Sequence, residues 1–112
     1  MILGGYDMNI KNVNGKNVAY LEGEINAQTG AQVKAEINTL LDKGNAVVLS
    51  FKSVVYMNSS GLREIIDLFK TASKNKKEVS LCDMNSDIRE MFSFTGLDKV
   101  FKIYDTEAAA LG

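Results

Sequence analysis

The stretch Ala46-Val47-Val48-Leu49-Ser50-Phe51, followed by Met57-Asn58-Ser59-Ser60-Gly61-Leu62, decides the fold. The first segment is apolar on both faces and β-branched, which predicts a strand covered by helices on one side and packed on the other. The second segment predicts a helix start, because Asn58 is a favourable N-cap residue and Ser59 would lie in the first turn. Since α/β folds usually place their sites at the carboxyl ends of strands, the residues around Ser59 are the first candidates for function.

Two amphipathic helices flank this strand. Apolar residues recur at helical spacing from about Ala27 to Lys43, and Gly44 is placed to end that helix. The apolar stripe of this first helix consists of Val33, Ile37, Leu40 and Leu41. The stripe of the second helix consists of Leu62, Ile65, Ile66 and Phe69.

The N-terminal segment predicts an antiparallel hairpin. Tyr6, Met8 and Ile10 alternate with polar residues, as in a half-buried strand. Asn14-Gly15 tolerates the positive φ angles of a tight turn, and Val18-Ala19-Tyr20-Leu21 reads as the returning strand.

The C-terminal third continues the alternation of strands and helices. A short strand at Val79-Ser80-Leu81-Cys82 is followed by a helix that Asn85 or Ser86 caps and Gly96 ends. Residues 100–103 predict a last strand, and residues 106–111 a terminal helical turn. The order β-β-α-β-α-β-α-β-α predicts an α/β fold, with a mixed sheet and helices packed on it, in one domain spanning residues 1–112.

Composition excludes several classes of function. The 112 residues carry a net charge of −1 with no basic run, so nucleic acid and anionic membranes are not expected as partners. The absence of histidine excludes Ser-His and Cys-His nucleophile pairs and histidine metal sites. No phosphate-cradling glycine motif is present, so we expect no enzyme, catalytic residue, cofactor or metal. The single cysteine, Cys82, reads as a small buried hydrophobe and fits a reducing cytoplasm.

The residues alone leave two interpretations of Ser59 open. Asn58, Ser59 and Ser60 could simply satisfy the free N–H groups of a helix start. Alternatively, Gly61 could let a partner's surface approach the backbone and reach the Ser59 hydroxyl. The tyrosines read as packing residues in either case, and they lie at positions 6, 20, 56 and 104.

Three segments, in order, resemble the anti-sigma factor antagonists, small bacterial proteins with a single STAS domain. Residues 21–26, Leu-Glu-Gly-Glu-Ile-Asn, are similar to the family's Gly-Glu-Leu-Asp turn. Residues 47–62 resemble its strand and Asp-Ser-Ser-Gly-Leu signature. Residues 94–101 resemble its C-terminal segment. The resemblance as a whole extends over nearly the entire chain, and these three segments carry it.

The resemblance implies a partner-switching function in transcription regulation. In the family, the serine after the signature's aspartate accepts phosphate from a serine protein kinase that is also the anti-sigma factor, and Ser59 matches this position. The unphosphorylated protein binds that kinase and frees the sigma factor, and a serine phosphatase restores this state. The remaining residues expected to contact the partner are Asn26, Asn58, Ser60, Gly61 and Leu62.

Two positions depart from the family pattern. Asn26 and Asn58 stand where aspartates are usual, so size and capping ability are kept while negative charge is lost. An alternative function is therefore a phosphorylation-independent STAS binding module in another partner-switching or transport-associated complex.

Overall fold

A five-stranded mixed sheet forms the centre of the computed structural model, which describes residues 8–44 and 46–112. The strands lie side by side in chain order: β1 (Asn9–Val13), β2 (Lys16–Ile25), β3 (Val47–Met57), β4 (Val79–Cys82) and β5 (Lys102–Tyr104). The helices are α1 (Ala27–Asp42), α2 (Ser59–Lys74), α3 (Ser86–Phe94) and α4 (Glu107–Leu111). The α/β class and the order β-β-α-β-α-β-α-β-α are thus confirmed.

The opening hairpin is also confirmed. β1 pairs antiparallel with β2, while every later pair of neighbouring strands is parallel. Asn14 and Gly15 form the turn with φ angles of 54° and 83°, the positive values that this pair of residues tolerates. Of the predicted alternation, Tyr6 lies outside the described residues and Met8 precedes the strand, since β1 starts at Asn9.

The two faces of the sheet are covered unequally. The main core lies beneath α1, α2 and α3, where alternate strand residues such as Leu21, Leu49 and Leu81 are fully buried. On the opposite face, the short helix α4 places Ala110 against Val18, Val48 and Cys82. The helices that matter for the candidate site are therefore α1 and α2, which start where β2 and β3 end.

The central strand is longer than the sequence predicted. We expected it to end near Phe51, but β3 continues to Met57 because its parallel pairing with β2 extends to the pair Ile25 and Met57. The exposed residues Lys52 and Ser53 interrupt the apolar pattern that marked the strand. Consequently, only Asn58 separates the end of β3 from the first residue of α2.

The last strand is shorter than predicted. Ile103 lies in β5 as expected, but the Phe101 N–H donates to the Leu97 carbonyl at 2.8 Å, so the chain is still in a turn there. The side chain of Phe101 instead packs against Phe69 and Phe92, with ring centroids 4.1 and 5.2 Å away. Aromatic packing, rather than strand alternation, explains the apolar residue at position 101.

Candidate functional site

Ser59 is the first residue of α2 and its side chain is exposed. Asn58 caps the helix, since its Oδ1 accepts a hydrogen bond from the Gly61 N–H at 2.8 Å. Neither the Ser59 nor the Ser60 hydroxyl hydrogen-bonds to another residue within 8–44 and 46–112. The predicted N-cap at Asn58 is confirmed. Because the Asn58 side chain provides this cap, both serine hydroxyls remain accessible.

Asn26 caps α1 in the corresponding position. Its Oδ1 accepts hydrogen bonds from the Gln28 and Thr29 N–H groups, each at 3.0 Å. The Asn26 N–H donates in return to the Thr29 hydroxyl at 2.8 Å, which completes a capping box. The sequence had not singled out Thr29, although a hydroxyl residue three positions after an asparagine is the signal for such a box.

The two asparagines are neighbours in space. The Asn58 N–H donates to the Ile25 carbonyl at 3.1 Å, so the chain segments that leave β2 and β3 are hydrogen-bonded to each other. Two helix N-termini therefore begin side by side at one edge of the sheet. Neither helix has an acidic residue in its first turn, so their macrodipoles make this edge favourable for negative charge.

Gly61 holds the start of α2 against the end of β2. A Cβ atom at this position would lie 2.2 Å from the Ile25 carbonyl oxygen and 3.0 Å from the Asn26 nitrogen. Only glycine fits such a contact without a shift of the backbone. The sequence favours Gly61 as room for a partner's surface, whereas in the structure the end of β2 from the same chain occupies that space. Its place among the partner-binding residues remains a prediction.

α1 and α2 also approach each other closely. A Cβ atom on Gly30 would lie 2.9 Å from the Glu64 Cβ and 3.3 Å from the Gly61 carbonyl oxygen. One turn further along α1, Lys34 Nζ lies 2.7 Å from Glu64 Oε1, and this hydrogen bond raises the pKa of Lys34. These contacts position the two helix starts relative to each other.

The predicted partner-binding residues fall into two groups. Ser60 is exposed, and Asn26 and Asn58 are half-buried, so all three contribute to one surface with Ser59. Leu62, by contrast, is 6% exposed and packs in the main core. Gly61 and Leu62 therefore lie beneath the surface that the other residues form.

An apolar patch next to Ser59 was missed by the sequence reasoning. Val55 and Tyr56, near the end of β3, are 71% and 55% exposed. The interpretation of Tyr56 as a packing residue is wrong. This end of β3 extends beyond its last pair with β4, at Ser50, and neither buried cluster includes Tyr56. Alternation does not reveal this exposure, because the strand has a bulge at Val55: Gly23 pairs with Val54 and Glu24 pairs with Tyr56.

The opposite face of the sheet holds the most perturbed titratable groups. Burial raises the pKa of the Cys82 thiol to about 12, so the side chain stays protonated at neutral pH. Partial burial and a hydrogen bond to Glu107 raise the pKa of Tyr20 to about 12, and the Tyr20 hydroxyl lies 2.8 Å from Glu107 Oε1. Both groups pack α4 onto the sheet. No helix within 8–44 and 46–112 is long and apolar enough to cross a bilayer.

Comparisons with known proteins identify the family to which this fold belongs. A model of the STAS domain family matches residues 7–110. The anti-sigma F factor antagonist of Paenibacillus polymyxa is 30% identical over 84% of this chain and 82% of its own length. A crystal structure of a candidate anti-sigma factor antagonist from Thermotoga maritima superposes with a TM-score of 0.84, at 26% identity over 93% of this chain and 91% of that one.

The Bacillus cell fate determinant SpoIIAA, in its phosphorylated form, has the same fold. It superposes with a TM-score of 0.70 at 21% identity, over 94% of this chain and 96% of that one. The match of the family model to almost the whole described fold, and the Paenibacillus relative, show that the chain belongs to the anti-sigma factor antagonists of the STAS domain family.

Proposed function

We propose that this protein is a non-enzymatic anti-sigma factor antagonist that binds a kinase-type anti-sigma factor, releases its sigma factor, and is switched off by phosphorylation of Ser59. One observation carries the proposal. The Ser59 hydroxyl is exposed at the first position of a helix and has no hydrogen bond within the described part of the chain. It is therefore available to a kinase without loss of any contact that stabilises the fold.

The site favours a phosphate without unfolding. A phosphoserine carries about −1.5 to −2 charges and three strong acceptor oxygens. Those charges would meet the positive ends of α1 and α2 and no carboxylate in either first turn. Phosphorylation of Ser59 should consequently change binding and leave the fold intact.

The binding surface follows from the exposed groups around Ser59. Val55 and Tyr56 supply exposed apolar area, which is a common mark of protein interfaces. Asn26, Asn58 and Ser60 supply polar groups beside it, while Gly61 and Leu62 support the surface from below. A phosphate placed between these groups would have to be desolvated in the complex. A penalty of about 3 kcal/mol would weaken binding about a hundredfold.

The cellular partners follow from the same proposal. An anti-sigma factor serine protein kinase would add the phosphate, and a serine phosphatase would remove it. The protein would act in the cytoplasm, without direct contact to nucleic acid or membrane. Its own contribution is binding alone, since the proposal makes Ser59 a substrate.

The test combines phosphorylation with a binding measurement. The protein is incubated with ATP and the kinase-type anti-sigma factor of the same genome, and mass spectrometry locates the phosphate. We expect one phosphate on Ser59, no modification of Ser59→Ala, and normal modification of the matched control Ser60→Ala. Titration should then show about a hundredfold weaker binding of the phosphorylated protein. Phosphate elsewhere, or equal affinity of both forms, would contradict the switch.

A second function is favoured by the two asparagines. If Asn26 and Asn58 leave the kinase without carboxylates that it needs, the same surface could act as a phosphorylation-independent STAS module in another partner-switching or transport-associated complex. That module would bind its partner while Ser59 stays unmodified by every kinase tested. Restored phosphorylation in the double variant Asn26→Asp and Asn58→Asp would assign the difference to these two positions.

A further inference from the structure

A second surface lies at the opposite end of α2 from Ser59. A groove of about 260 Å³ opens there between the end of α2, the following turn, the start of β4 and the entry to β5. Because a helix rises 1.5 Å per residue, the groove is about 20 Å from Ser59 along α2. A molecule bound in this groove would not overlap the Ser59 surface.

The floor of the groove is apolar. Phe69 and Val79 line it, and Phe69 is held by its ring contact with Phe101 at 4.1 Å between centroids. Val100 stands at the rim and is 58% exposed. The groove is therefore large enough and apolar enough to accept an aliphatic or aromatic side chain.

The rim of the groove is positively charged. Lys76, Lys77 and Lys102 line it, and none of them forms an ion pair with a carboxylate within residues 8–44 and 46–112. Glu78 is the one acidic residue among those that line the groove. Its Oε2 lies 3.7 Å from Lys16 Nζ, so Glu78 is paired with a lysine outside the groove. In a chain with a net charge of −1, this is a local excess of positive charge.

The turn that carries two of these lysines is fixed by backbone hydrogen bonds. The Lys76 N–H donates to the Ser73 carbonyl at 3.1 Å, and the Lys77 N–H donates to the Ala72 carbonyl at 2.8 Å. This pair of bonds is the Schellman arrangement, in which the left-handed position is usually glycine. Here Lys76 takes that position with a φ of 58°. The cationic rim is thus part of a pre-organised helix end.

From the apolar floor and the unpaired lysines, we infer that this groove docks an acidic segment of a partner protein, with one apolar side chain in the groove and carboxylates against the lysines. The charge complementarity selects an acidic partner, and the concave floor selects a side chain. A bilayer would need apolar groups that protrude, and of the groove residues only Val100 is a strongly exposed hydrophobe. Single-stranded nucleic acid would need exposed aromatic faces for stacking, whereas Phe69 is half-buried against Phe101.

The probe is the synthetic peptide acetyl-Asp-Glu-Asp-Leu-Phe-Glu-Asp-amide, titrated into the full chain and followed by amide NMR shifts. We expect saturable shifts centred on Val79, Val100 and Lys102, with affinity that falls as salt rises. A peptide with Ser-Ser in place of Leu-Phe should bind at least tenfold more weakly, and one with lysines in place of the acids should not bind. No shift in the groove, or equal affinity for all three peptides, would overturn the inference.

Variants locate the binding and keep the fold intact. The triple variant Lys76→Gln, Lys77→Gln and Lys102→Gln should bind the acidic peptide about tenfold more weakly. The matched control carries glutamine in place of Lys43, Lys52 and Lys70, which do not line the groove. It should bind the acidic peptide as tightly as the parent does. Val100→Ser changes only an exposed side chain. Weaker binding of the acidic peptide by this variant would therefore show directly that the peptide occupies the groove. Unchanged affinity in both groove variants would overturn the inference.

Two further titrations separate this surface from other occupants and from the proposed switch. Phosphatidylserine vesicles and oligothymidylate should leave the groove shifts unchanged, and groove-dependent binding of either one in place of the peptide would reject the acidic-peptide assignment. Ser59→Asp should bind the peptide like the parent. Loss of peptide binding in that variant would show that the groove is not an independent surface, while failure of Ser59 phosphorylation would leave the groove result unaffected.

Discussion

The starts of α1 and α2 are built from the same cap but use their hydroxyl groups differently. Asn26 and Asn58 each accept hydrogen bonds from the first free N–H groups of a helix, and they lie side by side. In α1 the third residue is Thr29, whose hydroxyl accepts from the Asn26 N–H and lies 2.9 Å from the Glu24 carbonyl. In α2 the third residue is Gly61, and the hydroxyl groups belong to the two preceding serines.

This difference explains why Ser59 is available. A hydroxyl at the third helical position can reach back to the N–H of the cap residue, as Thr29 does. The Ser59 hydroxyl comes too early in its helix to make that bond, and no other group in the described chain takes it up. Helix α1 therefore uses its hydroxyl for stability, whereas α2 leaves the hydroxyl of its first residue exposed.

Among the variants that test this comparison of the two helix starts, Gly61→Ala should lower the free energy of unfolding most. The new Cβ atom would lie 2.2 Å from the Ile25 carbonyl oxygen, so the start of α2 must move away from β2. We expect the free energy of unfolding, measured by urea denaturation, to fall by about 3 kcal/mol. Ser60→Ala, one residue away and exposed, is the control and should stay within about 0.5 kcal/mol of the parent. Equal stability of the two variants would mean that the helix start is not held by the glycine contact.

Much of this fold could be predicted from the sequence because its signals are local. Alternation marked β1, the Asn14-Gly15 turn fixed the hairpin, and apolar stripes marked the helices. The errors lie where tertiary pairing overrides local pattern. β3 runs to Met57 because β2 continues beside it, and Phe101 belongs to an aromatic cluster that no periodicity reveals.

The candidate site was predicted only in part, for a similar reason. The cap at Asn58 and the exposed Ser59 followed from residue type and position, and both are confirmed. The role of Gly61 depends on how close β2 lies, which local sequence does not encode. The exposure of Tyr56 depends on tertiary packing, since this end of β3 extends beyond its last pair with β4 and lies outside both buried clusters.

A smaller effect on the free energy of unfolding should distinguish the Thr29 hydroxyl from the Ser59 hydroxyl. Thr29→Val keeps the shape of the side chain but removes the bond to the Asn26 N–H, so it should lower the free energy of unfolding by about 1 kcal/mol. Ser59→Ala removes no such bond and should change stability by less than about 0.5 kcal/mol. Parallel urea titrations of both variants measure the difference. A cost for Ser59→Ala equal to that for Thr29→Val would show that Ser59 is also a structural hydroxyl.

The smallest effect should come from restoring a charge to each cap. Asn58→Asp places a carboxylate at a helix N-terminus and should raise the free energy of unfolding by about 0.5 kcal/mol at pH 7 and low salt. Asn26→Asp should gain less, because the exposed carboxylate of Glu24 lies two residues before it. The helix end lowers the pKa of the new carboxyl, so the gain is present above the ordinary aspartate pKa of about 3.9 and is lost as pH falls through the folded-state value.

Salt and pH provide the controls for these two variants. The gain in free energy of unfolding should shrink in 1 M salt, because the Debye length there is only about 3 Å. It should vanish near pH 2, where the new carboxyl is protonated. The same carboxylate would also stand beside a phosphate on Ser59 and repel it. If the asparagines make this edge favourable for phosphoserine, phosphorylated Asn58→Asp should be less stable than phosphorylated parent, reversing the order found without phosphate. If the phosphorylated variant is instead the more stable of the two, solvent screens the phosphate from the new carboxylate and from the two helix ends.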